Sequence, residues 1–227
     1  MSVDFEELQE SGQVNLMEWY QNASEEEKRL ADNVARLEPL FDDMRFRPDT
    51  VADTLIVTSY INPDTNEKFE DYYDVPDFFD NLSVDLYFTF KVEESADETA
   101  GTTYTDDRII RVSPDRIDDE IVLLHEMTHV YDYLYTTING RYRDSIFWCL
   151  YRYLSKRISN FDELLDLAGN FAFQDHLLYS GGNHSLLFIM KTLELDIRKG
   201  FQLGTVMQYD FCDYLEDYSY TPDPSDT

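Results

Sequence analysis

Glu120-Ile121-Val122-Leu123-Leu124-His125-Glu126-Met127-Thr128-His129 is the stretch that decides the fold. On a helix of 3.6 residues per turn, His129 stands about 40° round from His125 and one turn further along. Both imidazoles therefore reach one metal ion. Glu126 projects about 100° from His125, beside such an ion instead of on it, where a base for a metal-bound water belongs. The chain has only four histidines, at 125, 129, 176 and 184. Spending two of them at i and i+4 around a glutamate is a poor accident.

The flanks read as helix. Ser113-Pro114 resembles an N-cap with proline at the first helical position, and Asp115, Asp118, Asp119 and Glu120 place negative charge at the positive end of the helix dipole. Asn139-Gly140 provides a stop. With Ile117, Ile121, Leu124 and Val130 as an apolar stripe, a helix from about Pro114 to Asn139 is expected.

Two histidines do not close a catalytic zinc site, which takes three protein ligands and leaves one position for water. The pattern HExxHxxGxxH fails, because Asp132 stands at the glycine position and Tyr135 at the third-ligand position. The acids near residue 145 offer only Asp144. The remaining downstream candidates are Glu163, His176, His184 and Glu194. His184 is favoured by its context. Ser180-Gly181-Gly182-Asn183 forms a turn-rich approach, and Ser185 to Arg198 reads as an amphipathic helix anchored by Phe188. His176 lies in an apolar helical segment and reads as a core histidine. Asp132 falls on the histidine face one turn beyond His129, where a carboxylate can orient a ligand's free ring nitrogen.

Ile109-Ile110-Arg111-Val112-Ser113-Pro114, the HExxH helix and His184-Ser185-Leu186-Leu187-Phe188 together resemble the SprT-like metallopeptidases over about residues 83 to 200. In that family a strand precedes the HExxH helix and a later HGxxF-type segment supplies the third histidine. The resemblance implies that His125, His129 and His184 bind zinc (Zn2+) and that Glu126 is the catalytic base. Ser185 stands where the family has glycine, and Leu186 where it often has proline. No cysteine-rich zinc ribbon follows.

Composition bounds the setting. The chain has 227 residues, of which 43% are hydrophobic, enough for one sizeable core. No run of about 18 apolar residues occurs. The acidic N-terminus matches neither a signal nor a transit peptide, so a soluble, cytoplasmic or virion-associated protein is expected. Cys149 and Cys212 have no CxxC spacing and read as reduced thiols. The net charge is −29, aspartate outnumbers glutamate 29 to 18, and arginine outnumbers lysine 12 to 6. Such a surface repels itself at low ionic strength and resembles proteins of a high-salt organism or its virus. Basic residues cluster only at Arg141, Arg143, Arg152, Lys156 and Arg157, which argues against direct nucleic-acid binding.

The expected fold class is α+β: a small three- to four-stranded sheet packed on a helical zincin-type domain. Two N-terminal helices are expected in residues 1–50, one starting at Ser24-Glu25-Glu26-Glu27. A metallopeptidase domain then spans 51–212, and an acidic mobile tail 213–227. Strands are expected at Thr54 to Ile61, Ser83 to Val92 and Tyr104 to Val112, with Asn62 to Asn81 a long acidic loop. Further helices are expected at Asp144 to Ile158 and Asn160 to Tyr179. The function these features imply is hydrolysis of protein or peptide substrates by a soluble zinc metallopeptidase. The alternative is a structural or virion-associated protein that keeps a metal-binding peptidase fold and contacts protein partners.

Overall fold

The computed structural model describes Trp19 and residues 21–41, 55–61, 68–74, 88–94, 99–107, 109–138, 143–178, 184–208 and 211–222. It has an α+β architecture. Helix α1 is Glu25–Leu37, α2 is Glu120–Tyr133, α3 is Arg143–Ser155, α4 is Phe161–Leu178, α5 is Leu186–Lys199 and α6 is Phe211–Tyr214. Strands β1 (Leu55–Ile61) and β2 (Lys68–Asp74) form an antiparallel pair, and β3 (Thr89–Val92), β4 (Gly101–Tyr104) and β5 (Ile109–Val112) form a sheet of order β3-β5-β4. In that sheet β3 runs parallel to β5 and β4 antiparallel to it.

Helix α2, which carries the HExxH motif, lies between two apolar clusters. On one side Leu123, Leu124, Met127 and Val130 pack with Leu30 of α1 and with Ile110 and Val112 of β5. On the other, Tyr131, Leu134 and Tyr135 join Leu150, Leu164, Phe188 and Leu193 of the helical half. Covered on both faces, α2 is apolar around most of its circumference, not along one stripe.

Several boundaries differ from the sequence expectation. The long helix expected from Pro114 is divided, with a 3-10 turn at Pro114–Arg116 and the α-helix beginning only at Glu120. The cap is Asp119, whose carboxylate accepts the Ile121 and Val122 amides at 3.2 and 3.4 Å. Beyond Tyr133 the helix widens into a π-helical turn, Leu134–Ile138. The single strand expected from Tyr104 to Val112 is instead the turn and second arm of a hairpin, because Asp106 and Asp107 form a turn between β4 and β5. Lys68–Asp74 is a strand inside the stretch read as an acidic loop. It pairs with β1 from Leu55↔Asp74 to Ile61↔Lys68, and its Phe69, Tyr72 and Tyr73 supply the strand preference that its acids obscure.

Helix α1 starts where expected, with a reciprocal cap between Ser24 and Glu27. It docks through Asn33, whose amide donates to the Ile117 carbonyl at 2.8 Å. The other expected N-terminal helix lies outside the described residues except at Trp19 and residues 21–22, which are helical. The stretch expected to be a mobile tail is tied to the body as far as Tyr220: Leu215 is buried in the core, Tyr220 bridges to Ile158, and its hydroxyl donates to the Phe201 carbonyl at 2.9 Å. Among the described residues, no helix is long and apolar enough to cross a membrane.

Candidate metal centre

His125 and His129 project from adjacent turns of α2, and His184 approaches from the segment just ahead of α5. Each offers one ring nitrogen, and the three nitrogens lie within 4.8 Å of one another. The ring centroids form a near-equilateral triangle with sides of 5.0, 5.3 and 5.1 Å. Phe188, one turn into α5 and fully buried, packs against all three imidazoles at 5.2, 4.6 and 4.7 Å. The triangle therefore has an apolar floor.

The donor set suits a metal ion. The Nδ1 atom of His125 lies 3.0 Å from the carbonyl oxygen of Val206. A carbonyl only accepts, so Nδ1 carries the proton and Nε2 keeps its lone pair for a ligand bond. Burial, and after it the neighbouring His184, pushes His125 down to about 4, against the opposing pull of the Val206 and Met207 carbonyls. His125 is neutral at pH 7, the form that binds metals. The group His125, His129 and His184 could thus hold a metal ion.

Glu126 stands beside this triangle, buried, in a cleft of about 410 Å³ that also exposes His129, Thr102, Thr103, Thr105 and Asp132. Two residues of β4 shape its position. The Thr103 hydroxyl lies 2.7 Å from Glu126 Oε2 and 3.0 Å from the Glu126 carbonyl oxygen. Gly101 leaves room for the carboxylate, since a Cβ there would stand 2.8 Å from both Cγ and Oε1 of Glu126. Burial raises the Glu126 carboxyl to about 7, and the Thr103 hydrogen bond and the Arg111 charge act in the other direction.

Asp132 meets the ligand set through an intermediary. Its carboxylate accepts the Ser185 hydroxyl, and Ser185 caps α5 by accepting the Phe188 amide at 3.2 Å. Asp132 thereby holds the residue next to His184. Burial raises its carboxyl to about 6, against the Ser185 hydrogen bond and the Arg143 charge.

The other candidate ligands are elsewhere. Glu194 is fully buried in an ion pair with Lys191 at 2.9 Å, whose ammonium also donates to the Leu40 carbonyl. Glu163 is exposed at the start of α4. His176 belongs to α4, and its side chain lies outside the described residues. Cys149 and Cys212 are free thiols. Thr103, Gly101 and Val206 escaped the sequence reading. The first two precede the motif by over twenty residues and match no pattern, and the third contributes a backbone atom that no side chain encodes.

No protein-family profile matches the chain, and neither characterised proteins nor solved structures return a match.

Proposed function

We propose that this chain is a zinc-dependent peptidase of the HExxH type, related in arrangement to the SprT-like metallopeptidases. The observation that carries the proposal is the meeting of three imidazoles from two separate segments beside a buried carboxylate that opens on a cleft. A structural zinc site closes its coordination with a fourth protein ligand and has no use for such a carboxylate.

His125, His129 and His184 would hold the zinc. Three neutral ligands leave its charge uncancelled, so when bound it supplies a Lewis acid that acidifies water near neutral pH. Glu126 takes the proton of the attacking water and later delivers it to the leaving amine. Thr103 and Gly101 keep its carboxylate in one place while it does so. β4 is one of the two outer strands of the described three-stranded sheet and borders the cleft, which suits an extended peptide bound by strand addition. We further propose that the −29 charge adapts the protein to concentrated salt, and that its partners are proteins and peptides, not nucleic acids.

Glu126→Gln tests the assignment. The variant is expected to bind one zinc with wild-type affinity and to cleave no member of a quenched-peptide library that the wild type cleaves. Turnover by Glu126→Gln refutes the role of Glu126. Stable zinc without wild-type turnover favours the alternative of a structural or virion-associated protein.

A further inference from the structure

Asp196 is a fully buried carboxyl group on the inner face of α5, three turns beyond His184. A buried acid requires compensation, and here backbone amides supply part of it, against a burial that still raises the Asp196 carboxyl to about 8. Gly204 N donates to Oδ2 at 2.7 Å and Val206 N to Oδ1 at 2.9 Å. Both oxygens are thus committed to one short loop. This loop leaves α5 through the left-handed cap Gly200 and turns back at Gly204, where φ is +89° and a Cβ would stand 2.8 Å from the Cys212 backbone. Space and dihedral both require glycine there.

The residue whose amide Asp196 holds is the same residue whose carbonyl holds His125. Amide and carbonyl belong to adjacent peptide planes of Val206, so fixing one restricts the other. The loop crosses back to α2 at this point, with Val206 buried in the cluster that contains Leu123, Leu124 and Leu195. We propose that Asp196 is a positioning residue of the metal centre: by clamping the Gly204 and Val206 amides it sets the Val206 carbonyl, which locks His125 as the Nδ1–H tautomer with Nε2 presented to His129 and His184. Helix α5 then serves the centre at both ends, through His184 ahead of its first turn and through Asp196 near its last.

The inference rests on the metal-centre reading, but its first readout needs no metal. The full chain, labelled with ¹⁵N in its four imidazoles, is examined by NMR with chelator present and then titrated with zinc and with cobalt(II). His125→Ala assigns the resonance. In the metal-free wild type, His125 is expected as the Nδ1–H tautomer with a slowly exchanging ring proton. Asp196→Asn offers one acceptor oxygen for two amides. It is expected to lose the fixed tautomer, to bind zinc about 10- to 100-fold more weakly, and to alter the visible bands of the cobalt-loaded protein. Leu164→Ala, which empties core space in α4, should lower the melting temperature and move none of these signals.

An Asp196→Asn protein with the wild-type tautomer and zinc affinity overturns the inference. So does a wild type whose His125 is in the Nε2–H form, an observation that stands even where the variant does not fold. A wild type with the expected tautomer, lost in Asp196→Asn, that takes up neither ion supports the Asp196 clamp and refutes the metal centre instead.

Discussion

Gly101→Ala is the perturbation that tests the cleft most directly, because one added methyl group acts on one functional group. The new Cβ would stand 2.8 Å from Glu126 Cγ and Oε1, against ordinary carbon contacts of about 3.5–4.0 Å, so the carboxylate must retreat by about 0.7 Å. The 2.7 Å contact with Thr103 then stretches to at most roughly 3.4 Å, where a hydroxyl–carboxylate hydrogen bond is largely lost. Gly101 has no left-handed dihedral to give up, so the effect on stability is small: overpacking costs about 1–3 kcal/mol, offset in part by the stiffer unfolded chain. Displacing the proposed general base by that distance should lower kcat/KM roughly 10- to 100-fold, equivalent to about 1.4–2.7 kcal/mol of barrier. Zinc affinity should stay at the wild-type value, since none of the three imidazoles is touched. The assay pairs steady-state cleavage of a quenched peptide with competitive zinc titration. Wild-type kcat/KM in Gly101→Ala, or loss of zinc in step with loss of activity, would refute the placement of Glu126 against β4.

Three further outcomes are expected. Asp132→Ala and Ser185→Ala should each weaken zinc binding by about tenfold, and the double variant should be no weaker than either single one, because both break the same link to His184; additive losses in the titration would count against it. In the metal-free protein the Glu126 carboxyl is raised from 4.5 to about 7, so its contribution to stability is full at low pH and is lost as pH rises through 7. Urea unfolding with chelator should therefore show Glu126→Gln gaining on the wild type between pH 5 and 8, by about 3 kcal/mol at most, and a constant difference would disprove the buried placement. With 47 acidic against 18 basic residues, the melting temperature should climb as salt shortens the screening length from about 10 Å at 0.1 M to about 3 Å at 1 M; a flat series would dissociate the charge from salt adaptation.

Much of the centre was legible because helical spacing is a strong constraint. The i, i+4 histidines and the intervening glutamate follow from 3.6 residues per turn alone, and the turn-rich approach to His184 with Phe188 behind it placed the third imidazole. What stayed hidden acts through the backbone or through empty space: the Val206 carbonyl, the room left by Gly101, and the single proton of Thr103 carry no periodicity. Boundaries were misread where a local cap competed with a plausible one, as at Asp119 against Ser113. β2 was missed because the acids that give the chain its charge also fill a strand. The α+β class survived these errors, since it depends on the alternation of β3 to β5 with the apolar helices and not on where each element stops.

The separation in sequence between His129 and His184 has its own consequence. An ion gripping both would cross-link the chain around α3 and α4, turning nearly a quarter of the molecule into a closed loop and restricting the ensemble into which it unravels. By mass action, copies with a filled centre open rarely and emptied copies open often, and it is the opened form that cellular proteases degrade. Scarcity of the ion would therefore shorten the lifetime of the molecule, so that its abundance tracks supply.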